Sequence, residues 1–260
     1  MIRFLILALM LPGSTIVRAD AAARGKELAL KGDRLADEFA KEASRMEMII
    51  TNAHKDRVVR ELEMKVLEQK DDGDKTLITF IKPADVKGTR LLTWTHIEGD
   101  DDQWLYLPSI RRKKRIRSSS KTGSFMGSEF SYEDMSSQEV EKYTYRFIKE
   151  DKVGNSPALL TERIPKDKKS GYSKQLVWQS QQHYQALKIE YYDRKGSLLK
   201  VATFGAYKKM QQKPEVWRTA SISMENRQTK KSSEIIWHER KMGAQLDFTE
   251  KSFSKHALDE

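Results

Sequence analysis

The chain has 260 residues, with 48 Lys and Arg against 38 Asp and Glu, and it contains no cysteine. The absence of cysteine excludes disulfides and thiolate metal sites, so the core alone must hold the fold together. The charge of +10 with 33% charged residues predicts a mixed, soluble surface whose basic excess suits anionic lipid or acidic partners.

The N-terminus has the layout of a secretory leader. Arg3 precedes a short apolar stretch, and the small residues Val17 and Ala19 occupy the −3 and −1 positions of a cleavage site before Asp20. The alternatives are a short N-terminal anchor or a buried helix. We predict a signal peptide at residues 1–19. With no cysteine to carry a lipid anchor, the leader favours a bacterial periplasmic location without lipid attachment.

One helix and then a long run of strands are predicted along the rest of the chain. Leu28, Leu35 and Phe39 recur at helical spacing and predict a helix over residues 24–46. From about residue 48 the apolar residues recur at period two instead. We expect roughly nine to eleven strands joined by hairpin-length connections.

Three turn signals divide the period-two region into hairpins. These are the stretches at residues 70–75, 98–102 and 193–196, all rich in Asp, Gly or Glu. Trp94 and Trp104 stand on either side of the second turn and are predicted to face each other on neighbouring strands. Strands do not alternate with long helices, so a parallel sheet is not expected.

A long antiparallel meander must curl, because the twist accumulates from strand to strand. We therefore predict one domain at residues 20–260, mainly β: a half-open, strongly curved antiparallel β-barrel with an N-terminal helix and short lid helices or loops. The interior of such a sheet is either solidly packed or a ligand cavity, and the strand pattern leaves both alternatives open.

Signals of catalysis or of metal binding are weak. The five histidines are scattered without a zinc-binding motif, and no nucleophile or phosphate-loop motif is present. The acidic turns are interpreted as hairpin turns, since they lack the spacing of a calcium loop. We predict no enzyme activity, no cofactor and no metal, with an envelope glycan hydrolase as the remaining enzyme alternative.

Large side chains in the strand-like runs are candidates for a cavity lining. Aromatic residues usually fill a core, but a single curved layer offers a concave face on which they suit an acyl chain or another apolar ligand. The candidates are Leu92, Trp94, Trp104, Tyr106, Trp178, Tyr191, Trp217 and Trp237.

Four stretches carry a resemblance to a known family. They are "DKTLITFIKPADVKGTRLL", "DDQWLYLPSIRRKKRI", "SFMGSEFSYEDM" and "YDRKGSLLKV". In this order they resemble the outer-membrane lipoprotein-sorting family, which is akin to the Lol-type periplasmic lipoprotein carriers. The resemblance implies a half-open antiparallel barrel closed by helices, an apolar cavity, and a role in handling a lipid or lipoprotein without catalysis.

Two features beside this strand pattern are candidates for ligand access. A basic run follows the strand that ends at Pro108, and it predicts a cavity rim that meets anionic headgroups; the alternative is a solvated charged strand. The rim residues are Arg111, Arg112, Lys114, Arg115 and Arg117. A Gly/Ser frame around Phe125, Met126 and Gly127 predicts a mobile flap over the cavity.

The sequence thus favours a periplasmic carrier that shields an apolar ligand and takes part in outer-membrane lipoprotein sorting or lipid transport. The expected partners are lipid or lipoprotein acyl chains, an inner-membrane exporter or outer-membrane acceptor, and an anionic membrane surface, with no nucleic acid. The alternative is a non-catalytic accessory binding module of an envelope export complex, whose interior would be packed.

Overall fold

The computed structural model describes residues 13–259. Most of the predicted signal peptide lies outside the described residues. Helix α1 spans Gly13–Arg34, so the predicted cleavage point before Asp20 falls within it. No helix in the described part of the chain is long and apolar enough to cross a membrane.

The predicted helix over residues 24–46 is wrong at both ends. It begins earlier, at Gly13, and ends at Arg34. Glu38 and Ala40 then adopt left-handed conformations, with φ of 62° and 63°. The carboxylate of Glu68 accepts hydrogen bonds from the backbone N–H groups of both residues, and this stabilises the turn. Local hydrogen bonding therefore overrides the helical spacing of the apolar residues.

Fifteen strands follow the helix within residues 13–259, more than the sequence predicts. They are β1 (Lys41–Thr51), β2 (Arg57–Leu67), β3 (Lys75–Lys82), β4 (Arg90–Trp94), β5 (Asp102–Leu107), β6 (Arg112–Ile116), β7 (Tyr143–Val153), β8 (Ser156–Pro165), β9 (Tyr172–Ser180), β10 (Ala186–Asp193), β11 (Leu198–Phe204), β12 (Tyr207–Gln211), β13 (Val216–Thr219), β14 (Ser221–Asn226) and β15 (Ser232–Met242). The additional strands include β7, which is rich in exposed charges, and β12, which is short. Both give a weak period-two signal.

Thirteen of these strands form one antiparallel sheet in the order β6-β5-β4-β3-β2-β1-β15-β14-β11-β10-β9-β8-β7. Two meanders are joined where β1 pairs with β15. The sheet is not closed, because its edge strands β6 and β7 do not pair with each other; β12 and β13 form a separate hairpin. The predicted half-open antiparallel barrel is confirmed, as is the hairpin in which Trp94 and Trp104 meet at a ring-centroid distance of 4.8 Å.

Helix α1 packs against the edge strand β7. A Cβ atom added at Gly25 would lie 2.8 Å from the backbone nitrogen of Phe147, so only glycine permits this close approach. The helix covers an edge that would otherwise present unpaired backbone groups to solvent.

The chain between β6 and β7, residues 117–142, crosses the concave side of the sheet; we call it the crossing segment. Phe125 and Phe130 from this segment are buried in the main hydrophobic cluster, together with Phe80, Leu91 and other sheet residues. The ring of Phe125 contacts Phe80 at 5.7 Å between centroids. The crossing segment therefore fills one part of the half-barrel.

A buried ion pair holds the crossing segment to the sheet. Lys200 Nζ on β11 lies 2.5 Å from Asp134 Oδ2, and the two side chains are only 4% and 7% exposed. Asp134 also accepts a hydrogen bond from the Tyr172 hydroxyl at 2.7 Å. Lys200 donates a second bond to the carbonyl of Glu129 at 2.9 Å. These bonds offset the desolvation of both charges.

The C-terminal segment, residues 243–259, covers the convex face near the other edge of the sheet. Its Phe248, Phe253 and Leu258 are buried against side chains of β4 and β5. The indole of Trp94 donates a hydrogen bond to the carbonyl of Phe253 at 2.8 Å. Both faces of these strands are consequently buried.

Replacing Lys200 by Met should destabilise the protein strongly, because Asp134 would remain buried without its counter-charge. We expect a loss of roughly 3–5 kcal/mol in the free energy of unfolding, measured by chemical denaturation. The matched control is Lys82→Met, since Lys82 pairs at 3.0 Å with Glu61 but is 67% exposed. Its loss should stay near 1 kcal/mol or below. Equal losses in the two variants would contradict the anchoring role of Lys200.

Candidate ligand cavity

A cavity of about 1190 Å³ lies on the concave side of the sheet. Its cover is formed by the last turn of α1, residues 36–40, residues 134–140 and the β12–β13 hairpin. The cavity occupies the part of the half-barrel that the crossing segment does not fill, although residues 134–140 of this segment help to cover it. The interior is therefore packed at one end and hollow at the other.

The walls of the cavity are largely aliphatic. Successive strands of the sheet turn alternate side chains inward, as period two requires. The apolar wall residues are Met46, Met64, Ile78, Ile189, Ala202, Ile222, Met224 and Ile235. Such a surface suits an acyl chain or another flexible apolar group.

The structure brings three of the eight predicted lining residues to the cavity: Tyr191, Trp217 and Trp237. It corrects the expected lining for the other five, which are directed to the opposite face of the sheet. Four of these five pack beneath the C-terminal segment: Leu92, Trp94, Trp104 and Tyr106. The fifth, Trp178, packs with Ala158 and Leu160 outside the cavity.

The predicted flap is a packed loop. Phe125 has no exposed surface, and its backbone N–H donates to the carbonyl of Phe130 at 2.7 Å. Met126 and Gly127 make the turn with φ of 51° and 78°, and Arg60 donates a hydrogen bond to the Met126 carbonyl. A side chain buried in the core cannot act as an exposed lid, so the structure corrects this expectation for Phe125.

The predicted basic rim lies along the edge strand β6 and does not line the cavity. Arg115 forms an ion pair with Asp102 at the β4–β5 turn. The other rim residues have no ion-pair partner within the described residues 13–259; they are Arg111, Arg112, Lys114 and Arg117, all exposed. Charges along an edge strand also discourage pairing with another chain, which keeps the alternative of a solvated strand open.

Carboxylates gather where the cover of the cavity, at the end of α1, meets the β2–β3 turn. We call this group the acidic mouth; it comprises Asp33, Asp37, Glu68, Asp72, Asp74 and Glu139. Burial and neighbouring carboxylates raise the pKa of Asp37 to about 7 and that of Asp33 to about 6. Burial likewise raises the pKa of Asp74 to about 7. Part of the acidic mouth is therefore protonated at neutral pH.

Deep in the cavity, two arginines flank one buried carboxylate. Arg218 Nε on β13 lies 3.0 Å from Glu42 Oε2, and Arg240 Nε on β15 lies 2.9 Å from Glu42 Oε1. All three residues line the cavity. The sequence analysis did not identify them. A charged residue on a strand is normally interpreted as a solvent-facing position, and only the fold shows that these three face inward.

A bulge explains why Arg240 escapes the alternation pattern. The β1–β15 register shifts between Arg45 and Met46, which pair with Glu239 and Trp237 and leave His238 unmatched. The extra residue turns Arg240 to the same side as Trp237.

Within the described residues, no group of histidines and carboxylates has an arrangement that could hold a metal ion.

Replacing Asp74 by Asn should stabilise the protein at alkaline pH. The folded-state pKa of Asp74 is raised, so its contribution to stability is present at acidic pH and is lost as the pH rises through about 7. We expect the Asp74→Asn substitution to raise the free energy of unfolding more at pH 8 than at pH 5. The difference between the two increases should be on the order of 1–2 kcal/mol. Asp71→Asn, at an exposed position of the same turn, is the control for denaturation at both pH values. A stabilisation by Asp74→Asn that is the same at pH 5 and pH 8 would contradict the assignment.

Comparison with solved structures gives extensive similarity. A protein domain from Vibrio parahaemolyticus assigned to outer membrane lipoprotein sorting is 43% identical with a TM-score of 0.88, over 92% of this chain and 100% of that one. A DUF1329 family protein from Desulfovibrio piger is 29% identical with a TM-score of 0.86, over 92% and 99%. A LolA superfamily protein from Nitrosomonas europaea shares the fold at 16% identity and a TM-score of 0.70, over 90% and 98%.

Comparison with family profiles gives a match over residues 72–260, to a family described as "Uncharacterized protein". The comparison with curated proteins gives no match. The matched residues include all four stretches that carry the resemblance seen in the sequence. The chain belongs to the outer-membrane lipoprotein-sorting protein family and has the LolA-like fold.

Proposed function

We propose that this chain is a non-catalytic carrier of the bacterial periplasm that shields the acyl chains of a lipid or lipoprotein. In this role it takes part in outer-membrane lipoprotein sorting or lipid transport. The observation that supports the proposal is the cavity of about 1190 Å³ with aliphatic walls. This volume exceeds the roughly 300–1,000 Å³ of ordinary small-molecule pockets, as a ligand with long chains requires.

The cavity also favours a carrier over the alternative function, an accessory binding module. An accessory binding module without a lipid site would have a packed interior, whereas here the crossing segment fills only one part of the half-barrel. Family membership also supports the carrier function, because the Vibrio relative is assigned to lipoprotein sorting. The leader pattern at residues 1–19 supports export to the periplasm.

Filling the cavity with a tryptophan should block ligand uptake. Ile222 on β14 faces the cavity and is partly buried, so Ile222→Trp places an indole where a chain would lie. We expect affinity for a fluorescent acyl probe to fall by roughly tenfold or more, about 1.4 kcal/mol. Native mass spectrometry of the wild type purified from periplasm should detect bound lipid that this variant lacks.

The matched control is Ser223→Trp, at the next residue of the same strand, which faces the opposite side of the sheet. It adds the same side chain outside the cavity and should leave probe uptake unchanged. If the wild type takes up no probe and carries no lipid, the carrier function is wrong. If both variants bind as the wild type does, the ligand lies outside this cavity.

The exposed basic run on β6 is proposed to meet an anionic membrane surface during transfer. Each Lys or Arg near such a surface contributes about 1 kcal/mol, fading within a Debye length of roughly 8 Å at physiological salt. We expect the Arg112→Gln, Lys114→Gln, Arg117→Gln triple variant to lose most binding to anionic liposomes at low salt in a flotation assay. High salt should weaken wild-type binding in the same way.

The control is a triple variant that replaces Lys195, Lys230 and Lys231 by Gln, which removes equal charge from exposed turns elsewhere. It should retain liposome binding, and both triple variants should keep the uptake of a neutral acyl probe. Equal binding losses in the two triple variants would indicate a general effect of net charge. Undiminished binding of the β6 variant would show that the run is a solvated edge strand.

A further inference from the structure

The cationic groups deep in the cavity outnumber their buried counter-charge. Two guanidinium groups, from Arg218 and Arg240, share the single carboxylate of Glu42, which leaves one positive charge in excess. Their side chains are 17% and 9% exposed, and that of Glu42 is 3% exposed. An uncompensated charge at this depth is costly unless a further anion approaches it.

The next carboxylate that acts on Arg218 compensates the excess only in part. Asp37 lies in the acidic mouth, and burial with its neighbouring carboxylates raises its pKa to about 7. A substantial fraction of Asp37 is therefore neutral at physiological pH. The acidic mouth therefore compensates the positive charge of the two arginines only in part.

Two buried donors next to this charge lack hydrogen bonds. Arg240 Nε lies 2.9 Å from Glu42 Oε1, yet neither atom has a hydrogen-bond partner among the described residues. The indole Nε1 of Trp237 is also buried without a partner in the described part of the chain. The Arg240 guanidinium stacks on the Trp237 ring at 4.8 Å from its centroid, so the two groups are neighbours.

Buried polar groups are normally hydrogen-bonded, so the unsatisfied indole N–H of Trp237, next to the excess positive charge, indicates a missing acceptor on this part of the cavity wall. A water molecule would satisfy the hydrogen bonds but would leave the positive charge uncompensated. An oxyanion satisfies both, since it accepts several hydrogen bonds and carries the counter-charge. The aliphatic wall that surrounds these donors suits the chain to which such an oxyanion is attached.

We propose that Arg218, Arg240 and Trp237 form a seat for the anionic group of an acyl-chain ligand, such as a phosphate, sulfonate or carboxylate. This anion seat rests on the proposed carrier function and specifies its ligand as an anionic amphiphile. The oxyanion lies against the two guanidinium groups and the indole N–H, and the chain extends along the aliphatic wall.

Binding of matched probes tests the seat. Dodecyl phosphate, dodecanol and inorganic phosphate are titrated against the purified full chain, below the concentration at which the amphiphile forms micelles. We expect dodecyl phosphate to bind about tenfold or more tightly than dodecanol, since hydrogen bonds to charged groups are the strong ones. Inorganic phosphate, which has no chain, should bind far more weakly than dodecyl phosphate.

The variant Arg218→Gln removes the excess charge while Arg240 and Glu42 remain as a balanced buried pair, so the fold should persist. It should bring the affinity for dodecyl phosphate down to that for dodecanol measured on the same variant. Arg34→Gln removes one positive charge at the cavity opening, where Arg34 is exposed, and should preserve the preference. Trp237→Phe keeps the ring, removes the donor and should reduce the preference severalfold.

The outcomes separate the anion seat from the carrier function. Equal binding of dodecyl phosphate and dodecanol to the wild type would overturn the seat while the carrier function stands. Binding of neither amphiphile would overturn both proposals. Tight binding of inorganic phosphate that is lost in Arg218→Gln would show a free-anion site and overturn the assignment to an acyl-chain ligand. Equal loss of preference in Arg34→Gln and Arg218→Gln would also overturn the seat, because it would reflect net charge alone.

Discussion

The buried ion pair between Lys200 and Asp134 determines how the half-barrel is divided. An open sheet has two edges and one concave face, and the crossing segment is the connection that spans this face from β6 to β7. Two charges that are almost fully buried tolerate little displacement, because separating them would leave each in a low-dielectric environment without its partner. The pair therefore fixes where the crossing segment lies. It places Phe125 and Phe130 in the core and leaves the neighbouring concave surface unfilled beneath its cover.

The cavity lining carries two groups of charges with different electrostatic properties. The acidic mouth lies where the cover meets the β2–β3 turn, and the buried carboxylate with its two arginines lies on β1, β13 and β15. Fully ionised carboxylates at the opening would repel an anionic ligand on its way in. Burial raises the pKa of Asp37 and Asp74 to about 7, so protonation lowers this repulsion near neutral pH. Burial keeps part of the acidic mouth neutral, and the two arginines carry an excess positive charge. Both features are therefore compatible with the anionic ligand that we propose.

The sequence predicts the fold better than the cavity. Period two and the turn at residues 98–102 are local signals, and they place Trp94 and Trp104 on facing strands as observed. Which face of a strand lines the interior is not a local property. The C-terminal segment buries the convex face of β4 and β5, so both faces are apolar and the aromatics there were expected in the cavity. The bulge opposite Arg45 and Met46 reverses the alternation of inward and outward side chains along β15. Period two therefore places Arg240 on the outer face, whereas it faces inward.

The stretches that carry the family resemblance have a structural explanation. Asp134 lies in the "SFMGSEFSYEDM" stretch and Lys200 lies in "YDRKGSLLKV", so two of these stretches meet in the buried ion pair. They build the frame that separates the packed part of the half-barrel from the hollow part. Glu42, Arg218 and Arg240 lie outside all four stretches, on β1, β13 and β15. The resemblance therefore accounts for the frame of the cavity, whereas the proposed anion seat depends on residues that the resemblance does not include.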